Sequence, residues 1–272
     1  VCFAPYFVEY GFYAANHGGS LKAVPSKPLT FEIDAAALEA AIGPKTRAMI
    51  INSPNNPSGV VYSQNELQAI ANVLQKKSKE FGHPIMLLSD EPYRFLAYDN
   101  VEVPPILPAY EYSIVVNSFS KSLSMAGERI GYIAVNPEID GVQQLIDGMI
   151  LANRILGFVN APIIGQRIAL DALNSGIDIS IYDERRKAMA KILDDAGLKY
   201  TMPKGAFYFF PQVPDGYSDN AFVDLLKSEN IIAVPGSGFG YPGYFRLTCC
   251  IDKSIIERSK PAWQRVMQKI QG

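Results

Sequence analysis

Lys121 stands in the stretch SFSKSLSMAGERIGY, residues 118–132, among small hydroxyl residues and eight positions ahead of Arg129. A primary amine condenses with a carbonyl group to make a Schiff base. Ser118 and Ser120 offer hydroxyls to an anion, and Arg129 offers a rigid fork of donors matched to phosphate. An amine beside an anion site suits a cofactor that carries both an aldehyde and a phosphate. A lone loop lysine is ordinarily a solvated surface charge, so the neighbours carry this reading. Two more groups extend it: Asn56 in SPNNPSG, and Asp90 with Tyr93 in PIMLLSDEPY. A buried aspartate can hold a ring nitrogen protonated and turn the ring into an electron sink, while Asn56 and Tyr93 can hydrogen-bond a phenolic oxygen. Taken singly, Asn56 reads as a turn former, Asp90 as a helix N-cap and Tyr93 as core packing. Together, in this order, they describe a pyridine site.

The elements that must position these groups follow from hydrophobic periodicity. The β-branched run at 113–116 precedes Lys121, and the apolar run IGYIAV at 130–135 follows it, which predicts a loop lysine at the carboxyl end of a strand. Upstream, a strand end at 1–3, a helix over YFVEYGFYAANH and a strand at 21–24 come first. A helix capped by Asp34, the strand RAMIIN, a helix opened by the capping box of Ser63 and Glu66, and a buried strand at 84–89 follow. Strand alternates with helix, so the class is α/β with a mostly parallel sheet. Only about ten residues separate the strand before Lys121 from the next, too few for a parallel crossover, so that pair is expected to be antiparallel and the sheet mixed. The loops at Asn56, Asp90 and Lys121 then converge in one crevice at the strand ends. From 137 to 196 the pattern is helical, with breaks at Pro162 and Gly176, and a helix over 183–196 leads into a smaller region. Its pieces are a strand near 199–202, the aromatic strand GAFYFF, a helix over 220–229, IIAVPG, YFRLTCC and a closing helix over 254–270.

Composition bounds the function. A chain of 272 residues, 48% hydrophobic and 19% charged, can bury a large core, as one large domain with a smaller one. A net charge of −2 without a basic block argues against nucleic acid or an anionic membrane as partner and favours a small-molecule site. Cys2, Cys249 and Cys250 form no metal-spaced cluster and point to a reducing cytosol. No apolar run approaches the roughly 18 residues of a spanning helix. The chain opens on VCFAPYF, as though inside a structural element, and is expected to be part of something longer.

NNPSG, SDEPY, SFSK and ERIGY, in this order and at these separations, resemble the fold type I pyridoxal-phosphate enzymes, specifically the class I/II aminotransferases of the aspartate aminotransferase superfamily. The resemblance spans essentially the whole chain but starts late. Family members carry a further N-terminal segment with a Gly/Ser-rich loop that binds phosphate at a helix N-terminus, absent here. It implies a three-layer α/β sandwich with a mixed, mostly parallel sheet over residues 1–180, its N-terminal portion missing, and a smaller α+β C-terminal domain over 181–272. It assigns Lys121 to the Schiff base with pyridoxal 5'-phosphate, Ser118 and Arg129 to the phosphate, where Ser120 adds the hydroxyl already read from the residues, Asp90 to the pyridine nitrogen, and Asn56 and Tyr93 to the ring oxygen. Phe7 stacks on the ring, with Tyr6 the lesser choice, and Arg246 clamps the substrate α-carboxylate beside Asn56. Lys121, Asp90 and Tyr93 are thus the catalytic set. The implied reaction moves an amino group between an α-amino acid and a 2-keto acid with ping-pong kinetics, in a cytoplasmic homodimer.

Three other readings share these residues. A C–S β-lyase would use Lys121, Asp90 and Arg246, although the DEPY form leans toward transamination. A non-catalytic effector domain of a transcription regulator would need a DNA-binding segment upstream. The chain could also serve only as a folding-competent core. His17 and His83 read as structural or solvent-facing. Arg154 is a weaker candidate for contacts across a subunit boundary. GAFYFF reads as pocket lining or core, and GSGFG at 236–240 as a turn.

Overall fold

The computed structural model describes residues 1–271. Its main sheet is built from β1 (Cys2–Ala4), β2 (Ala23–Pro25), β3 (Ala48–Asn52), β4 (Met86–Asp90), β5 (Ser113–Ser118) and β6 (Gly131–Val135), in the spatial order β2-β1-β3-β4-β5-β6. Every neighbouring pair is parallel except β5 and β6, which run antiparallel with Val116 opposite Ile133. The short connection between those two strands dictates the reversal, as the spacing predicts.

Between the strands lie α1 (Glu9–Asn16), α2 (Ala35–Ala41), α3 (Gln64–Phe81) and α4 (Phe119–Ser122). In α3 the apolar residues Leu67, Ile70, Ala71 and Leu74 recur at helical spacing and are buried. Ser63 Oγ accepts from the Glu66 amide at 3.3 Å while Glu66 Oε2 accepts from the Ser63 amide at 2.8 Å, and Gly82 closes the helix in the left-handed region. Asp34 caps α2 by accepting from the Ala37 amide at 3.0 Å. These two helices cover one face of the sheet, packing Leu38, Leu67, Ile70 and Leu74 against Met49, Ile51, Leu87 and Val115. Each such side chain contributes about 1.5–3 kcal/mol on burial.

Beyond β6 come α5 (Val142–Ile155), α6 (Ile163–Ala172) and α7 (Ile179–Asp195), with Pro162 at the start of α6 and Gly176 before α7. The last part carries a small antiparallel sheet, β7 (Tyr208–Phe209), β9 (Phe245–Thr248) and β8 (Val234–Pro235), in the order β7-β9-β8. Around it lie α8 (Asp219–Ser228), α9 (Lys253–Arg258) and α10 (Lys260–Gln271). Arg186 of α7, only 2% exposed, fastens this region to the loop after β4. It pairs with Asp99 and Asp183, donates to the Pro203 carbonyl at 2.7 Å and lies 4.2 Å from the Tyr98 ring centroid.

Four local expectations need correction. Lys121 lies in the one-turn helix α4, because Ser118 Oγ accepts from the Ser120 amide and caps a turn where a loop is expected. Residues 199–202 form no strand; Lys199 gives its carbonyl to Gln212, and the next residues turn toward Gly59. GAFYFF contributes only Tyr208 and Phe209 to a strand. The closing helix is two helices, since Pro261, lacking an amide hydrogen, fits the first turn of a new helix and not the interior of a long one. Among the described residues no helix is long and apolar enough to cross a membrane.

Candidate active site

Register across three adjacent strands decides which side chains meet. Asn52 of β3 pairs with Asp90 of β4, and Asp90 pairs with Val116 of β5, so these three stand in a row on one face. Ile50 and Leu88 form the row beneath, and Ser118 lies two residues beyond Val116 on that same face. This face, opposite α2 and α3, floors a cleft of about 610 Å³ at the carboxyl ends of β3, β4 and β5. All nine residues singled out from the sequence line it: Phe7, Asn56, Asp90, Tyr93, Ser118, Ser120, Lys121, Arg129 and Arg246. Tyr6, the alternative to Phe7, packs instead where a Cβ on Gly240 would meet its ring at 2.5 Å.

Asn52 ties two of the strand-end loops together. Its Nδ2 donates to the Asp90 carbonyl at 2.7 Å, and its Oδ1 accepts from the Asn56 amide at 2.7 Å. Gly59 closes the Asn56 loop in the left-handed region, φ +70°, against the start of GAFYFF. A Cβ there would meet Pro203 at 2.5 Å and the Tyr208 carbonyl at 2.9 Å, so only glycine lets the loop seat. The Lys204 and Gly205 amides both donate to the Gly59 carbonyl at 2.9 Å, and Ala206 donates to Leu96 at 2.9 Å. One strap, residues 203–206, therefore holds both the Asn56 loop and the turn after Asp90.

Asp90 is sheltered by Tyr10 of α1, whose hydroxyl donates to Oδ2 at 2.7 Å. Burial pushes the Asp90 carboxyl above its ordinary range; the Tyr10 hydrogen bond opposes that, and the Glu91 charge adds to it. Tyr93 is both core and site: it is buried, its hydroxyl lies 2.9 Å from the Tyr208 hydroxyl, and burial is the main cause that raises its pKa. Arg246 of β9 donates to Asn56 Oδ1 at 2.8 Å and lies 4.7 Å and 4.8 Å from the ring centroids of Tyr208 and Phe239. Desolvation lowers the pKa of this half-buried guanidinium, which still remains a cation at any ordinary pH.

The other wall is more open. Ser118 Oγ donates to Ser120 Oγ at 2.7 Å, and the Arg129 guanidinium donates, among the described residues, to the Ala126 carbonyl alone, at 3.0 Å. Arg129 has φ +52°, a left-handed conformation that costs a non-glycine residue of order 1 kcal/mol. It ends the turn after α4 and starts the chain into β6 with the guanidinium at the cleft. Asn52 and Tyr10 escape the sequence reading, and Tyr208 enters it only within GAFYFF as pocket lining or core. Asn52 shows only as the polar end of an apolar strand, Tyr10 as one aromatic in a helix and Tyr208 as one of four in GAFYFF. His17 and His83 lie outside the cleft, bonded to Tyr13 and to Arg47 and Pro44, and Arg154 is exposed on α5.

A mostly parallel α/β sheet that gathers a lysine, an aspartate and an arginine at its strand ends is suited to chemistry through an amine. Comparison with known proteins is specific. The model of the aminotransferase class I and II family matches residues 1–258. Aromatic-amino-acid aminotransferase 2 of Thermococcus litoralis is 32% identical over 98% of this chain and 69% of its own length. A probable aspartate/prephenate aminotransferase of Rhizobium leguminosarum is 33% identical over 96% and 68%. The crystal structure of an aminotransferase from Eubacterium rectale superposes with a TM-score of 0.94 at 40% identity, covering 98% of this chain and 67% of that one. The chain thus belongs to the aminotransferase class I and II family, whose members are pyridoxal-phosphate-dependent transaminases, and spans about two thirds of the length of these relatives. Transamination is its reaction; neither the β-lyase nor the regulator reading is favoured by these relatives.

Proposed function

We propose that the cleft binds pyridoxal 5'-phosphate and that Lys121, Asp90 and Tyr93 carry the transfer of an amino group between an α-amino acid and a 2-keto acid. The observation that supports this most strongly is the gathering of all nine candidate residues on one cleft of about 610 Å³. Their chemistry fits the group: an amine, a sheltered carboxylate, two hydroxyls with a guanidinium, and an aromatic ring. When bound, the cofactor supplies an aldehyde for the lysine and a ring that withdraws electrons.

In this reading Ser118, Ser120 and Arg129 take the phosphate, and Phe7 lies against the ring. Asp90, with one oxygen engaged by Tyr10, would hold the ring nitrogen protonated. Asn56 and Tyr93 donate to the ring oxygen. Arg246, held by Asn56 and by the faces of Tyr208 and Phe239, orients the substrate α-carboxylate with its free donors. Lys121 Nζ would take the proton from the substrate Cα and give it back on the far side of the substrate nitrogen, two bonds away. The relatives' names point to aspartate, asparagine and aromatic amino acids as the class from which the substrate is drawn.

A division into a cofactor domain over 1–180 and a small domain over 181–272 is supported by two hydrophobic clusters. One gathers residues between Phe3 and Val115, and the other is built mostly from residues between Met189 and Val266. Tyr93, Leu96 and Tyr98 join the second, which makes the turn after Asp90 part of the junction. A homodimer is supported by the apolar side chains exposed on α5 and α6, among them Ile150, Leu151, Ile155, Ile163 and Ile164. Free cysteines at 2, 249 and 250 support a reducing cytoplasm.

The test is Lys121→Ala. Keto-acid formation from an amino acid and a second keto acid is expected to fall by at least about 10³-fold, the loss of a positioned base and nucleophile together. Turnover that survives the substitution would remove Lys121 from this role. Pyruvate, ammonia and thiol as the wild-type products would favour the lyase.

A further inference from the structure

We propose that Tyr208 is a positioning residue: its hydroxyl donates to Tyr93 Oη and so leaves the Tyr93 hydrogen free to be offered into the cleft. The inference rests on the reading of this cleft as a pyridoxal-phosphate site with Tyr93 at the ring oxygen. The two hydroxyls lie 2.9 Å apart, both side chains are buried, and either oxygen could be the donor. Two hydroxyl hydrogens share one contact. If Tyr93 donates to Tyr208, its hydrogen is spent inside the wall; if Tyr208 donates, the Tyr93 hydrogen remains for a ligand.

The surroundings decide the direction. The Arg246 guanidinium lies 4.7 Å from the Tyr208 ring centroid, and a cation there favours withdrawal of the phenolic proton, which makes Tyr208 the better donor of the pair. Arg246 also favours loss of the Tyr93 proton, but there it is the smallest of the influences, whereas on Tyr208 it ranks above both cysteines. The other groups that face the pair are Asp90, on the Tyr93 side, and Cys249 and Cys250, on the Tyr208 side. Asp90 disfavours negative charge on Tyr93 and so acts in the same direction as Arg246. The two cysteines oppose it; of these, Cys249 has a thiol that burial pushes up to about 12, which keeps it neutral near physiological pH.

The backbone holds this arrangement in place. Tyr208 pairs with Thr248, so Arg246, two residues along β9, is its diagonal neighbour on the same face. The Tyr208 carbonyl is pinned against Gly59, and the Tyr93 ring meets Tyr208 edge-on at 5.6 Å and 87°. Both rings are buried, which restricts their rotation. The residue that takes the substrate carboxylate thereby also tunes the donor to the cofactor oxygen.

The experiment is a pH titration of the absorbance of the pyridoxal-phosphate-loaded protein, in wild type, Tyr208→Phe, Tyr93→Phe and the double variant. Circular dichroism and Tm serve as checks that each is folded. A weaker donor leaves the ring oxygen's charge less stabilised, so the midpoint moves up. Tyr208→Phe keeps the ring beneath Arg246 and is expected to raise the midpoint by about half a pH unit, the size of an ordinary net hydrogen bond. In the Tyr93→Phe background it is expected to add nothing. A Tyr208→Phe midpoint equal to wild type, with Tyr93→Phe displaced, overturns the proposal alone, as does a Tyr208→Phe shift that is additive with that of Tyr93→Phe. A Tyr93→Phe midpoint equal to wild type, or no bound chromophore in any protein, overturns the underlying reading of the site.

Discussion

The two walls of the cleft are built on different terms. On one, Asn52, Asn56, Asp90, Tyr93, Tyr208 and Arg246 are knitted to each other and to Tyr10 by six direct contacts, and the three tyrosines and both asparagines are buried. On the other, Ser118 and Ser120 bond to one another, Lys121 rides a single turn of helix, and Arg129 is exposed. The difference teaches how labour is divided. Groups that must hold a charge or a proton direction are fixed by the fold before any ligand arrives, while groups that meet a phosphate stay open to it, since a bound anion can organise them itself.

The largest expected effect that breaks this contrast lies at Arg246. Arg246→Ala removes the carboxylate clamp and is expected to weaken apparent amino-acid affinity by about 10- to 100-fold, with saturated turnover changed less, as for loss of a hydrogen bond to a charged group. Steady-state KM and kcat for one amino acid read this directly. Unchanged KM would place the substrate carboxylate elsewhere.

A smaller effect sharpens the comparison through stability of the cofactor-free protein. Asp90 has its folded pKa raised by burial, so the folded state holds the proton more tightly than the unfolded state. That stabilisation is complete below the unfolded value near ~3.9 and is lost as pH rises through the folded value. Tyr10→Phe removes a donor to the ionised form and raises the folded pKa further. Its deficit relative to wild type is therefore expected to be small at pH 4 and to grow to about 1–2 kcal/mol at pH 7. Arg129→Gln, on the open wall, is expected to stay within about 0.5 kcal/mol of wild type at both pH values. Urea unfolding at the two pH values compares them; equal costs for the two variants would erase the distinction between the walls.

Much of this was legible because strand ends advertise themselves. The alternation of β-branched runs with helical patterns placed NNPSG, SDEPY and SFSK at the same edge of a parallel sheet, and the short connection after Lys121 required an antiparallel β6. The capping box at Ser63 and the N-cap at Asp34 are local chemistry and formed as read. What was not legible depends on contacts distant in sequence. Tyr10 reaches Asp90 across 80 residues and Arg246 reaches Asn56 across 190, and nothing in the residue types distinguishes Tyr10 from Tyr6 or Tyr13. The short strands of the last region were overread because aromatic runs signal burial equally well in strand and loop. Here the strap at 203–206 spends its backbone on Gly59 and Leu96 instead of extending a sheet. The split of the closing helix was written in Pro261, and the periodicity on either side masked it.

The most direct measurement of the central claim is to add pyridoxal phosphate to the purified protein, follow the absorbance change, reduce with borohydride and map the labelled peptide. The account predicts one reduced adduct, on Lys121, that is lost in Lys121→Ala.

 The adduct should also discharge when an amino acid is added. Label spread over surface lysines such as Lys199 and Lys204, or no adduct at all, would contradict the assignment of this cleft.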